Sequence, residues 1–288
     1  MNKAFTATFS ALTLAACGAA GDDAAPTSPP PPAGATSIAT VQGSGTTSPI
    51  VGQTVTVGGI VTGDFQDNDA DAAKNLGGFY VQTEMPDGDD RTSDGLFVFD
   101  GTNPATDVDV GDAVSVTGDV QEFFGETQIS ASFVSVTGSG TILATDLNLP
   151  VAGATTNDDG DLVADLERYE GMLVRFPQTL SITELFNLER YGEVRLSQNG
   201  RLFQFTNDNS PDAVGYASHR ENNAVRTLLL DDGKRQSNVS PIRYLDNRLG
   251  DTVSGLTGVL RYSRGSGTNG RETWRLMPTI DPVFVSAN

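Results

Sequence analysis

An all-β fold, arranged as two similar small barrels in tandem, is predicted by three observations. First, VGDAVSVTGDVQEFFGETQIS (Val110 to Ser130) is echoed by LGDTVSGLTGVLRYSRGSGTNGRETWRL (Leu249 to Leu276). Each phrase holds a Gly-Asp turn, an alternating run, a glycine near its middle, a polar turn and a second alternating run, the pattern of a hairpin. Such self-similarity at long spacing points to two copies of one unit. Second, 32 Gly and 14 Pro beside a single Trp suit short strands joined by turns. Third, 288 residues leave room for two domains of ordinary size.

The first unit, residues 36–140, offers strands at Thr54 to Phe65, Gly77 to Thr83, Gly95 to Gly101, Asp112 to Phe123 and Thr127 to Gly138. Gly58-Gly59 marks a bend or bulge in the first of them. Five short antiparallel strands with a glycine-bent first member fit an OB-like barrel, which closes its own edges; a β-sandwich fragment is the alternative.

The second unit, residues 141–288, is expected as another OB-like barrel carrying short helices. A helix over Leu162 to Tyr169 precedes a strand from Met172. Further strands fall near Gly192 to Ser197, Arg201 to Thr206, Thr227 to Leu230, Asp251 to Arg261 and Thr273 to Pro278. Ser210 as N-cap with Pro211 behind it starts a helix in the insert Ser210 to Arg226.

Residues 1–17, MNKAFTATFSALTLAAC, carry an early lysine, a short apolar stretch and a cysteine after Leu14-Ala15-Ala16. They resemble a bacterial lipoprotein signal, which implies that Cys17 is lipidated after cleavage and that the membrane is met only through this anchor. By the same resemblance, Gly18 after the cysteine points to an outer-membrane lipoprotein or a cell-surface, extracellular location. An ordinary signal peptide is the alternative. The apolar run is too short for a permanent span. Residues 18–35 include a proline run with almost nothing to bury and read as an extended tether. With one cysteine, no intrachain disulfide can form.

The formal charge of −19 is unevenly spread. Residues 1–150 hold three basic side chains against nineteen acidic, whereas residues 151–288 hold fifteen against eighteen. The acidic half repels phosphate backbones and suits solubility, a saline habitat or cation binding. Nucleic acid therefore fits the second unit better.

LERYEGMLV (from Leu166), FNLERYGEVRLS (from Phe186), GRLFQFTN (from Gly200), LLLDDGKRQSN (from Leu228) and LGDTVSGLTGVLRY (from Leu249) resemble the secreted extracellular endonucleases of aquatic and marine bacteria. SDGLFVFDG and the first repeated phrase resemble the OB-like domain that precedes them in that family. The resemblance spans roughly Thr36 to Pro278. It implies the non-catalytic region ahead of a metal-dependent domain of the endonuclease/exonuclease/phosphatase superfamily. That domain uses an Asn and a Glu, a GDFN-like loop and an SDH-like motif, whereas this sequence runs out at FVSAN, where it would begin. GDFQ (Gly63 to Gln66) and the sole histidine, His219, lack a third group to complete such a site. His219 is expected as a partly exposed helix residue.

For nucleic acid, the final hairpin interleaves Arg261, Arg264, Arg271 and Arg275 with Tyr262 and Trp274. Cations that follow phosphates and rings that stack on bases hold single strands on OB surfaces. Alternation leaves open that Trp274 fills the barrel instead.

Calcium has three acidic candidates, DFQDNDAD, PDGDDRTSD and NDDGD, because it needs several converging oxygens from one turn. Asp87, Asp89 and Asp94 are the preferred ligands, and a solvated acidic loop is the alternative. Asp231-Asp232-Gly233 reads as a tight turn.

The expectation is an envelope lipoprotein that binds or presents DNA to a nuclease. The alternatives are one part of a split nuclease acting with a separate catalytic chain, and a calcium-binding or structural envelope lipoprotein.

Overall fold

The computed structural model describes Met1 and residues 34–68, 74–238, 240–266 and 270–287. Residues 2–33, which include Cys17 and nearly all of the tether, lie outside the described residues.

Valine-rich alternation builds the first sheet. Helix α1 (Ile38–Gln42), capped by the Ser37 hydroxyl on Thr40 N–H, leads into β1 (Thr54–Phe65), β2 (Gly78–Gln82), β3 (Gly95–Phe99), β4 (Asp112–Phe123) and β5 (Glu126–Ser139). These close a barrel in the order β1-β2-β3-β5-β4, antiparallel except for β3 beside β5. One strand, β1, closes the ring by pairing its first half with β4 and its second half with β2. The irregularity that lets it turn falls between Val61 and Gly63, not at Gly58-Gly59. Gly59 instead admits a close neighbour, since a Cβ there would lie 3.1 Å from the Gln82 carbonyl. Ile38 and Val41 of α1 plug the ring, packing with Val57, Phe79, Leu96, Val116 and Ile129. Each such fully buried apolar side chain stabilises by about 1.5–3 kcal/mol relative to exposure.

The second half is mainly β but is not a second closed ring. It comprises β6 (Thr145–Asp146), β7 (Ala154–Thr156), β8 (Leu162–Ala164), β9 (Leu173–Phe176), β10 (Leu180–Glu184), α2 (Leu188–Tyr191), β11 (Val194–Gln198), α3 (Ala213–Ala224), β12 (Thr227–Leu230), β13 (Thr252–Val253), β14 (Leu256–Ser263), β15 (Thr273–Pro278) and β16 (Phe284–Val285). Nine strands form one half-barrel sheet, β16-β13-β10-β11-β12-β15-β14-β9-β6. Its core holds Leu166, Phe176, Leu180, Ile182, Leu196, Leu260 and Trp274. The repeated phrases do form equivalent features: each ends in an antiparallel hairpin, β4 with β5 and β14 with β15.

Three local expectations are corrected. Leu162 to Tyr169 is not one helix: Leu162–Ala164 pairs with Ala154–Thr156 across the NDDGD turn, leaving a single 3-10 turn at Glu167–Tyr169. Arg201 to Thr206 forms no strand. After the left-handed pair Asn199-Gly200 the chain has no edge to join, because β11 is already flanked by β10 and β12. Helix α3 is capped by Asp212, whose carboxylate accepts from Val214 and Gly215 N–H, not by Ser210.

The two sheets share a core. Phe65, Leu76, Tyr80 and Phe97 of the ring pack with Val259 and Met277 of the half-barrel.

Candidate nucleic-acid interface

The six hairpin residues offered by the sequence separate into groups with different surroundings. Arg261 turns into the junction between the sheets. It meets Glu126 at 2.8 Å, its side chain is 11% exposed, and its guanidinium lies over the Phe97 ring. Arg275 is 2% exposed and is held by Glu193 Oε1 at 3.1 Å, by Asp231 at 3.5 Å, and by the Ser263 and Thr273 carbonyls. Trp274 is buried in the half-barrel core, edge-on to Tyr262 at 4.9 Å, so its alternation places it inside. The reading of the whole hairpin as a row of cations and stacking rings therefore does not hold for Arg261, Arg275 and Trp274, whose side chains face protein.

Arg264 and Arg271 stay nearer the surface, but each has an acidic partner. Arg264 Nε donates to Glu272 at 2.9 Å while its plane covers the Phe124 ring, and the largely exposed Arg271 meets Asp161 at 2.6 Å. The Tyr262 hydroxyl is pushed well above its usual range, first by burial and then by Glu272, Asp158, Glu167 and Asp159. An acidic surround of this kind opposes phosphate.

The calcium residues do not converge. Asp89 gives both carboxylate oxygens to Arg91, at 2.9 and 2.6 Å, and Asp87 accepts the Asp89 N–H at 2.8 Å. Asp94 is raised by burial and then by Asp87, and one of its oxygens is buried without a partner. A cation there would have to draw Asp89 away from Arg91. Among the described residues no group of three or more acidic, His or Cys side chains is placed to hold a metal.

Asp231-Asp232-Gly233 does form a turn, with each aspartate accepting a backbone N–H two residues on. Both aspartates are 1% exposed. Burial and then Glu193 push Asp231 up to about 7, and burial pushes Asp232 up to about 6. Gly192, left-handed at φ 71°, fits against Asp232, where a Cβ would lie 2.2 Å from the carboxylate.

What the hairpin does supply is one wall of a groove of about 680 Å³ through Arg271, Glu272, Thr273 and Trp274. Helix α3 contributes Tyr216, His219 and Arg220, and the irregular segment before it contributes Phe203 and Phe205. His219 fastens that segment to α3: its Nε2 lies 3.1 Å from the Phe203 carbonyl and 2.9 Å from the Asn223 amide, and its ring meets Phe205 edge-on. It is thus a partly exposed helix residue, as expected, with a holding contact that the sequence did not suggest. GDFQ ends β1, with the Asp64 carboxylate accepting the Gln66 N–H.

Phe203 and Tyr216 are half-exposed, at 52% and 51%. Arg201 covers the Phe203 ring at 5.4 Å, and neither Arg201 nor Arg220 has a carboxylate partner among the described residues. Sequence reasoning missed all four. A strand over Arg201 to Thr206, as the sequence predicts, would turn both phenylalanines to one face. Two unpaired guanidinium groups beside half-exposed rings can hold phosphate and stack a base. The chain matches no family model, no curated protein and no solved structure.

Proposed function

We propose that this protein binds single-stranded nucleic acid in the α3 groove and presents it to a nuclease, as the non-catalytic region of the extracellular endonucleases that its sequence resembles. In this reading the closed ring is an OB-type barrel and the half-barrel is a divergent second copy. Lipid on Cys17 tethers both to the outer membrane or cell surface, and catalysis comes from a separate domain or chain.

One observation carries the proposal: Arg220 lines the groove with the half-exposed rings of Phe203 and Tyr216, Arg201 lies over the Phe203 ring, and neither arginine has a carboxylate partner among the described residues. Buried or ion-paired cations contribute little to phosphate binding, whereas unpaired ones release counterions on contact. The acidity of the first half confines this attraction to the second. The groove is of small-molecule size, about 300–1,000 Å³, so it admits unpaired nucleotides and not a duplex.

The test incubates the purified full chain with labelled single- and double-stranded DNA, in calcium plus magnesium and in chelator, following binding and cleavage together. The expected result is salt-sensitive binding of the single strand without cleavage. Cleavage that survives repurification and disappears in His219→Ala would overturn the presenting role. Absence of binding at low salt would overturn the nucleic-acid reading itself.

A further inference from the structure

We infer that the α3 groove sorts bases by their exocyclic amines, taking cytosine and adenine ahead of thymine; this rests on the nucleic-acid reading above. Besides Arg220, the groove is lined by two reachable carboxylates, Asp161 and Glu184, whose side chains are 33% and 49% exposed. Each is engaged by one arginine through one oxygen: Asp161 Oδ2 by Arg271 at 2.6 Å, and Glu184 Oε2 by Arg195 at 3.3 Å. An ionised carboxylate offers about four acceptor sites and no donor. Asp161 Oδ1 and Glu184 Oε1 are therefore acceptors still to be used among the described residues.

A base that enters beside Phe203 and Tyr216 thus meets acceptors along its edge, while Arg220 takes the phosphate. The 4-amino group of cytosine and the 6-amino group of adenine donate to carboxylates. Thymine turns a carbonyl oxygen to the same place, setting acceptor against acceptor, and discrimination comes from that repulsion as much as from the attraction. Cytosine against thymine is the clean comparison, since two pyrimidines of similar size differ there by amine and carbonyl.

The experiment measures anisotropy of labelled oligo(dC) and oligo(dT) of equal length against the full chain at one salt concentration. Fluorescence of the sole tryptophan, Trp274 in the groove wall, gives a second reading. Oligo(dC) is expected to bind roughly five-fold or more tightly, the scale of one good edge contact. Glu184→Ala frees Arg195, so both oligonucleotides should bind more tightly while their ratio falls towards one; Asp161→Ala should do the same through Arg271. Both positions are partly exposed, so the variants should fold. Equal wild-type affinities, or a ratio unmoved in both variants, overturns the inference and leaves nucleic-acid binding intact. If neither oligonucleotide binds, the underlying reading fails and the inference falls with it.

Discussion

Arg261 and Glu126 belong to different sheets, stand 135 residues apart in sequence, and meet at 2.8 Å with side-chain exposures of 11% and 1%. Tyr80 donates its hydroxyl to the other Glu126 oxygen at 2.9 Å. Burial alone would pull the Arg261 guanidinium down, but Glu126 and then Tyr80 more than reverse this and leave it above its ordinary value. The pair is thus a desolvated strut across the junction. Removing one member leaves a buried charge uncompensated, which costs about 3–5 kcal/mol.

Arg261→Ala should therefore lower stability by about that amount in urea unfolding. It should leave oligonucleotide affinity unchanged under conditions where the variant is folded. A phosphate contact would give the reverse pattern, with affinity lost at an unmoved unfolding midpoint.

Raising the pH should destabilise the protein. Glu167 is pushed up to about 7 by burial and then by Glu122, and the fully buried Glu170 is raised by burial and then by Glu167. Burial and Glu193 likewise bring Asp231 to about 7. A carboxyl whose folded value exceeds its unfolded one, roughly 4, contributes stability that is complete below that value and is lost as pH rises through the folded value. The urea midpoint should fall between about pH 5 and about pH 8, and Glu167→Gln should flatten the slope. A midpoint that rises across that window would contradict neutral carboxyls at these positions.

Phe203→Ala and Tyr216→Ala should each weaken single-strand binding by roughly 1–3 kcal/mol, the value of a base stacked on an aromatic ring. Arg220→Ala should reduce the salt slope by about one phosphate contact. Phe203 and Tyr216 are half-exposed and Arg220 is exposed, so unfolding midpoints should move little. Titrations at several salt concentrations separate the two effects.

The strand positions of the ring were readable from the sequence, though not the parallel pairing of β3 with β5 or the irregularity at Val61 to Gly63. Thr54–Phe65 and Asp112–Phe123 are strands with the expected ends, and the other three differ by a residue or two. Long alternating runs between Gly and Asp turns leave few other arrangements. The half-barrel was harder because β6, β13 and β16 are two residues long and exist only through distant partners. The groove was hidden for a related reason. Whether Arg201 to Thr206 becomes a strand depends on which neighbours already occupy β11, and no local pattern records that. Arginine partners are equally invisible: nothing near Arg275 in sequence announces Glu193.

The contact between Gly95 and Gly171 tests the packing of one sheet on the other. Gly95 opens β3 of the ring, and a Cβ there would lie 2.2 Å from the Gly171 carbonyl carbon and 2.4 Å from Met172 N. Gly171 is left-handed at φ 71°, and a Cβ on it would lie 2.7 Å from Leu96 N. Two backbones are thus in contact, with Ser93 Oγ donating to the Glu170 carbonyl at 2.6 Å and Gln42 donating to the Gly95 carbonyl at 2.7 Å. A methyl group at Gly95 has no flexible side chain to displace, so Gly95→Ala must separate the sheets or bend β3. Overpacking of this kind costs about 1–3 kcal/mol and more where backbone must yield. Gly153→Ala, where a Cβ meets nothing within 4 Å, is the matched control and should shift stability by no more than about 0.5 kcal/mol. Urea unfolding of wild type should be a single transition because the sheets share a core, and Gly95→Ala should lower its midpoint or split it in two. If Gly95→Ala behaves like Gly153→Ala, the two sheets do not pack through these glycines.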